Sequence, residues 1–287
     1  MNGHDLKDNP WLALMEKASL HMQGHDLHRR TEMQQVNRKL PCYVVSYIKL
    51  GTCRLRIGGK DYFAGPGDVV FIPPYEVHDH VKDTDEVTEF LWWHFTLHIA
   101  GSIDALQAFR FPVIFRLPQP ERFETAFHEY SRIAEGMATL SDSLMKKAKA
   151  LELVAMLIDA AIHHPDVQQK VEHSDPFMSI LAELLDNPER RIDLADLGGR
   201  YFMHPTYIAE RFKKLFGITP TKLQLQLRLR KAIQLLETES RPIAEIARLT
   251  GYEDIDDFSR FFKSKTGLSP LKYRNSRVSG GAGGLIP

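Results

Sequence analysis

The chain has 287 residues, enough for two ordinary domains with a sizeable core in each. Apolar residues make up 43% and charged residues 26%, and 37 basic side chains cancel 37 acidic ones, so whole-chain charge argues neither for nor against nucleic acid. Only two cysteines occur, Cys42 and Cys53, which excludes a disulfide framework and a cysteine-rich zinc site.

The first residues lack a basic start followed by an apolar run. The longest apolar stretch, 153–162, is broken by Asp159 and is too short to span a bilayer. A cytoplasmic, reduced protein without a membrane partner is expected. Residues 1–40 read as polar and irregular, with a short helix over 11–22.

From 41 to 97 the pattern becomes short runs separated by turn residues. Tyr43-Val44-Val45-Ser46-Tyr47-Ile48, Cys53-Arg54-Leu55-Arg56-Ile57, Asp68-Val69-Val70-Phe71-Ile72 and the stretch 88–97 read as strands. Gly51, Gly58-Gly59 and Gly65-Pro66-Gly67 supply the turns. Short strands with regular turns predict a barrel or sandwich.

Past Pro120 the period is helical. Phe123, Phe127, Tyr130, Ala134 and Met137 form one stripe. Leu144, Ala148, Leu151, Ala155, Ile158 and Ile162 form another, and the break at Thr139-Leu140-Ser141-Asp142 suits an antiparallel hairpin. Such a seam can pack on the barrel of its own chain or on its twin in a dimer, and the spacing leaves both open. His163-His164-Pro165 ends the hairpin, and 166–175 is polar enough to be a linker.

The region 176–275 contains a repeat. Ile208-Ala209-Glu210-Arg211-Phe212-Lys213 matches Phe258-Ser259-Arg260-Phe261-Phe262-Lys263, fifty residues on, and Gly217-Ile218-Thr219-Pro220 matches Gly267-Leu268-Ser269-Pro270 at the same offset. Each unit reads as a short helix, a tight turn and a second helix, with Gly251 where a turn needs positive φ. This is helix-turn-helix geometry, whose second helix can enter a DNA major groove. The stretch 221–237 is one long helix joining the copies. The region holds seventeen Lys and Arg against thirteen Asp and Glu, a net of +4, and the remainder is −4. That asymmetry has the sign expected of a DNA-binding half.

Arg228-Leu229…Ala232…Leu235-Leu236…Ile243…Ile246-Ala247…Gly251-Tyr252…Phe258-Ser259-Arg260…Phe262-Lys263…Gly267…Ser269-Pro270…Tyr273-Arg274 resembles the AraC/XylS family of bacterial transcription regulators. Gly67-Asp68…Ile72-Pro73-Pro74…His78 resembles the cupin-like effector domain of its arabinose-type members. The resemblance implies an α+β protein of two domains. A cupin-like β-barrel with an N-terminal arm over its pocket spans 1–118, and a dimerising helical hairpin 119–165. After the linker, an all-α double helix-turn-helix domain spans 176–275, and 276–287 is a flexible tail. It also implies double-stranded DNA, a small-molecule effector of sugar type, a homodimer and RNA polymerase as partners, with activation as the mode of regulation.

By the same resemblance Thr206, Ala209 and Glu210 face the groove in the first reader, and Asp256, Asp257 and Arg260 in the second. The Arg260 fork can bond a guanine edge with two donors. Asp256 is a candidate to cap its helix or brace Arg260, and His204 occupies a capping position. Lys213, Lys214, Lys263 and Lys265 can reach phosphates. Arg228 reads as a structural ion pair.

A metal cupin needs a His-x-His pair, a carboxylate and a further histidine, and the strands over 43–57 contain no histidine. No metal or other cofactor is therefore expected, and an organic effector fits better. Tyr43, Tyr47, Arg54, Arg56, His78, His80, Trp92, Trp93 and His94 are the candidate effector contacts, the aromatics as platforms for a sugar face. Two rivals stand beside a regulator without catalytic residues: a metal-dependent cupin enzyme fused to a helical module, and a ligand-independent regulator whose barrel only dimerises.

Overall fold

The computed structural model describes residues 14–279 except 33, 83–85, 108, 137, 165–167 and 170–174. They divide into two compact units, a β-rich one from 18 to 171 and a helical one containing 14–17 and 175–279.

In the first unit, strands β1 (Ala18–Arg30), β2 (Gln34–Arg38), β3 (Tyr43–Leu50) and β4 (Cys53–Ile57) are followed by β5 (Lys60–Ala64), β6 (Asp68–Ile72), β7 (His78–Val81) and β8 (Thr88–Ile99). The short strands β9 (Ile103–Asp104), β10 (Phe109–Arg110), β11 (Ile114–Arg116) and β12 (Gln168–Gln169) complete it. One sheet runs β1-β8-β3-β6-β11 with β9 on β8, and the other β2-β7-β4-β5. Strand alternation divides the long strands between two environments. Val44, Ile48 and Phe90 point into the barrel core beside Leu55 and Ile72. Tyr47 and Trp93 point the other way, onto the Phe123 ring at 5.7 Å and 5.2 Å.

That outer face is covered by α1 (Pro120–Glu135) and α2 (Leu140–Ile162), the predicted hairpin. Phe123, Phe127 and Tyr130 of α1 are buried as expected, and Met137 lies outside the described residues. Thr139 and Asp142 form a reciprocal capping box that fixes the start of α2. The buried stripe of α2 is Ala150, Leu153, Val154, Leu157 and Ala161. The stripe predicted from sequence lies on the other side of the helix, and its Leu144, Ala148, Leu151, Ala155 and Ile162 are exposed. Both stripes have helical spacing, so periodicity alone did not choose the one that meets the sheet.

Two further expectations change. Residues 18–22 are strand rather than helix, because β1 pairs with β8 over a register running from Ala18 opposite Ile99 to Arg30 opposite Thr88. Closing the open edge of β8 with backbone bonds overrides the weak local propensity. Residues 18–30 and 34–38 of the expected arm are thus barrel strands, and 1–13 lie outside the described residues. Of the expected linker, Gln168–Gln169 pair with Phe109–Arg110.

The helical unit contains α3 (Asp175–Asp186), α4 (Leu194–Tyr201), α5 (Pro205–Phe216), α6 (Pro220–Thr238), α7 (Ile243–Leu249), α8 (Ile255–Thr266) and α9 (Pro270–Ser279), the last running into the expected tail. The pairs α4–α5 and α7–α8 are the two helix-turn-helix copies. Proline begins α5 and α6, and Gly217 and Gly267 end α5 and α8 in the left-handed conformation. Ile246, Ala247, Phe258 and Phe262 form one core with Ala232 and Leu236 of the joining helix. Leu14 is buried, and Lys17 is paired with Asp186 at the end of α3. Among the described residues, no helix is long and apolar enough to cross a membrane.

Candidate functional site

In α5, Ile208, Phe212, Leu215 and Phe216 are buried, which turns Thr206, Ala209, Glu210 and Lys213 to the opposite side. Thr206, Glu210 and Lys213 are exposed and Ala209 is half-buried. The spacing of three, four and seven residues makes them one face. Its helix starts at His204, whose Nδ1 accepts from the Thr206 N–H at 3.3 Å.

The second reader repeats this plan. Phe258 and Phe262 anchor α8, and Asp256, Asp257, Arg260 and Lys263 are exposed on its other side. The cap is Asp254, whose carboxylate accepts from the Asp256 N–H at 2.6 Å. The brace is Asp257, ion-paired with Arg260 one helical turn on. Asp256 follows the cap rather than forming it, and although it stands four residues before Arg260 it acts there only as a nearby charge, the direct ion pair being made by Asp257. Lys214 and Lys265 are also exposed. Arg228 is structural as expected, but its partners are backbone carbonyls rather than a carboxylate. Nε donates to the Pro188 oxygen at 2.8 Å and Nη2 to the Glu189 oxygen at 2.7 Å.

The barrel unit holds a cavity of about 430 Å³, open mouth included, between its two sheets. Trp92 and His94 of β8, Ser46 of β3 and His80 of β7 form its interior wall. His28 and Arg30 of β1, Gln35 and Arg38 of β2 and the apolar Val44 and Phe90 form the remainder. His80 is 5% exposed, and among the described residues neither its Nε2 nor the Trp92 Nε1 has a hydrogen-bond partner. Burial, then the nearby His78 and Arg38, push His80 down to about 4, and burial with Arg38 and His78 does the same to His94. Both rings are therefore neutral at pH 7 and can act as donor or acceptor.

Of the predicted effector contacts, His80, Trp92 and His94 meet at this cavity. Tyr43 and Tyr47 lie on the helix-covered face instead. Their hydroxyls donate to Asp104 Oδ2 at 2.7 Å and Glu124 Oε1 at 3.0 Å, and burial pushes Tyr47 up to about 12. Trp93 is fully buried on the same face. Arg54 and Arg56 project from the outer side of β4 toward Asp61, with Arg56 Nε 2.8 Å from its Oδ1. His78 is buried two residues before His80, its Nδ1 3.0 Å from the Glu76 carbonyl oxygen.

Sequence reasoning missed His28, Arg30, Gln35 and Arg38 because the polar strands β1 and β2 read as an irregular arm, and missed Ser46 because the inward face of β3 was not assigned. The two-residue step from His28 to Arg30 was the available signal. Among the described residues, no group of three or more His, Cys, Asp or Glu side chains could hold a metal.

A family profile described as AraC-like ligand binding domain matches residues 25–154, and a helix-turn-helix domain profile matches 197–276. The MmsAB operon regulatory protein of Pseudomonas aeruginosa is 24% identical over 284 residues, 95% of this chain and 90% of that protein. The arabinose operon regulatory protein of Escherichia coli K12 is 25% identical over 244 residues, 81% of this chain and 80% of that one. Among solved structures, the DNA-binding domain of AdpA in complex with a target DNA is 27% identical, covering 37% of this chain and 96% of that one with a TM-score of 0.35. The two profiles fall on the two units in the order read from the repeat and the turn pattern, and the chain belongs to the AraC/XylS family of DNA-binding transcription regulators, with a ligand-binding domain ahead of its helix-turn-helix domain.

Proposed function

We propose that the chain is an effector-responsive, sequence-specific regulator that binds double-stranded DNA as a homodimer and activates transcription. The observation that carries this reading is the pair of exposed polar faces on α5 and α8, two copies of one reader in one helical unit. Arg260 would read a guanine edge, and Lys213 and Lys263 would hold phosphates.

The exposed second stripe of α2 supports the dimer. Leu144 is 61% exposed and Leu151 52%, on the side opposite the buried one. A twin helix laid along that stripe would bury both. Operon-regulating relatives support regulation rather than catalysis, and the arabinose relatives support an effector of carbohydrate type. The effector would favour one arrangement of the dimer over another, and the DNA-bound form would contact RNA polymerase.

Selection of sheared genomic DNA from the source organism on the immobilised full chain, followed by sequencing, tests this. Enrichment of one intergenic region is expected. Uniform recovery of all fragments, with and without candidate effectors, would overturn the reading.

A further inference from the structure

The chemistry of the cavity wall narrows the effector class. We propose that the cavity takes a small hydroxylated organic anion, a sugar carboxylate or a sugar phosphate, rather than a neutral sugar. The proposal rests on the effector-responsive reading above and concerns the same cavity.

Two guanidiniums, Arg30 and Arg38, line this cavity, and among the described residues that line it none is acidic. Arg30 stands exposed at the mouth and Arg38 is half-buried deeper in. Arg38 uses Nη1 to reach Gln35 Oε1 at 2.7 Å, a neutral partner, and among the described residues no carboxylate is ion-paired with it. A guanidinium withdrawn from water beside neutral groups gains most from an anionic oxygen, which it can hold with two parallel donors.

Deeper in, the wall changes character. Neutral His80 and His94, the Ser46 hydroxyl and the indole N–H of Trp92 offer donors and acceptors without charge. His80 Nε2 and Trp92 Nε1 are buried without a partner, an arrangement that persists cheaply only where something else satisfies them. Hydroxyl groups match both. The Trp92 indole, flanked by the His94 ring at 4.8 Å and the His28 ring at 5.3 Å with tilts of 47° and 53°, is an aromatic platform on the cavity wall. Charged mouth, neutral polar depth and one platform together describe a ligand with an anionic end and a hydroxylated body.

The test is thermal denaturation of the full chain, with tryptophan fluorescence, at constant ionic strength. The probes are D-gluconate, D-galacturonate and glucose 6-phosphate against neutral D-galactose and L-arabinose. At least one anion is expected to raise Tm saturably, and its affinity to fall at least tenfold in Arg38→Gln. Lys39→Gln, an exposed neighbour outside the cavity wall, should leave it unchanged. Should Arg38→Gln fail to fold, Arg30→Gln at the exposed mouth reads the same contact.

Stabilisation by a neutral sugar alone, no response to any of the three anions, or anion binding indifferent to both arginine variants would each overturn the proposal. The carboxylate and phosphate arms separate the two sources of charge. DNA binding by the same samples separates this inference from the regulator reading. Intact sequence-specific binding without anion binding sinks only the ligand class.

Discussion

Arg228 Nη1 donates to the carbonyl oxygen of Gly251 at 3.2 Å, joining the helix between the two readers to the turn inside the second. The remaining donors of the same guanidinium hold the Pro188 and Glu189 oxygens just ahead of the first reader. Gly251 sits at φ +86, and a Cβ there would lie 2.2 Å from the Glu189 oxygen and 2.8 Å from Arg228 Cζ. The turn thus needs glycine for its backbone angle and for the space the arginine fills. The Tyr252 ring, 5.4 Å from the guanidinium, closes the cage.

Gly251→Ala should therefore destabilise the helical unit by about 2–3 kcal/mol, combining positive-φ strain with a backbone clash. Arg228→Met should lose about 3 kcal/mol by leaving carbonyls unpaired. Thermal melts at 222 nm, with probes for each unit, measure both. In either variant DNA affinity should fall while ligand binding by the barrel stays unchanged.

Arg260→Ala should lose about 1–3 kcal/mol on the selected DNA site and little on random DNA, relaxing preference at one base pair. Lys263→Ala should weaken all sequences alike and lower the salt slope by about one. Asp257→Asn, which removes a carboxylate from the approaching phosphates and releases Arg260, should tighten binding to random DNA. Gel shifts across a salt series read all three. An equal loss on both DNAs for Arg260→Ala would remove its base-reading role.

The two stripes of α2 should separate by experiment. Leu151→Glu, on the exposed stripe, should convert a dimer to a monomer in light scattering of the full chain at unchanged melting temperature. Leu153→Ala, at 0% exposure on the buried stripe, should instead destabilise the barrel unit by about 2–5 kcal/mol. A Leu151→Glu chain that remains dimeric would place the contact elsewhere.

His80 and His94 carry folded pKa values of about 4 against 6.5 for the free ring. A lowered histidine pKa means the unfolded chain binds the proton first on acidification. Their stabilising effect is thus complete above pH 6.5 and is lost as the pH falls from there toward 4, by about 1.4 kcal/mol per pH unit for each fully shifted ring. His80→Asn should flatten that slope in melts between pH 7 and 5. An unchanged slope would show that the buried ring does not govern it.

Much of the helical unit was legible because its information is local. Capping residues, proline starts, glycine stops and an apolar repeat every three or four residues fix each helix, and a fifty-residue offset betrays the duplication. The groove faces of α5 and α8 came from the family resemblance, and the burial of Phe212 and Phe258 turns those residues outward. The partners of Arg228 did not follow, because backbone carbonyls leave no trace in side-chain composition.

The sequence by itself determined two units, the four long strands over 43–97, the helix hairpin and the two readers. Only the tertiary structure decided which apolar stripe of α2 meets the sheet and which face of β3 and β8 meets the cavity. It also decided that the polar segments 18–30 and 34–38 are strands supplying Arg30 and Arg38. The physical reason is common to all three. Periodicity states that an element has two faces, whereas the choice of face and of partner strand depends on what packs against it from distant sequence.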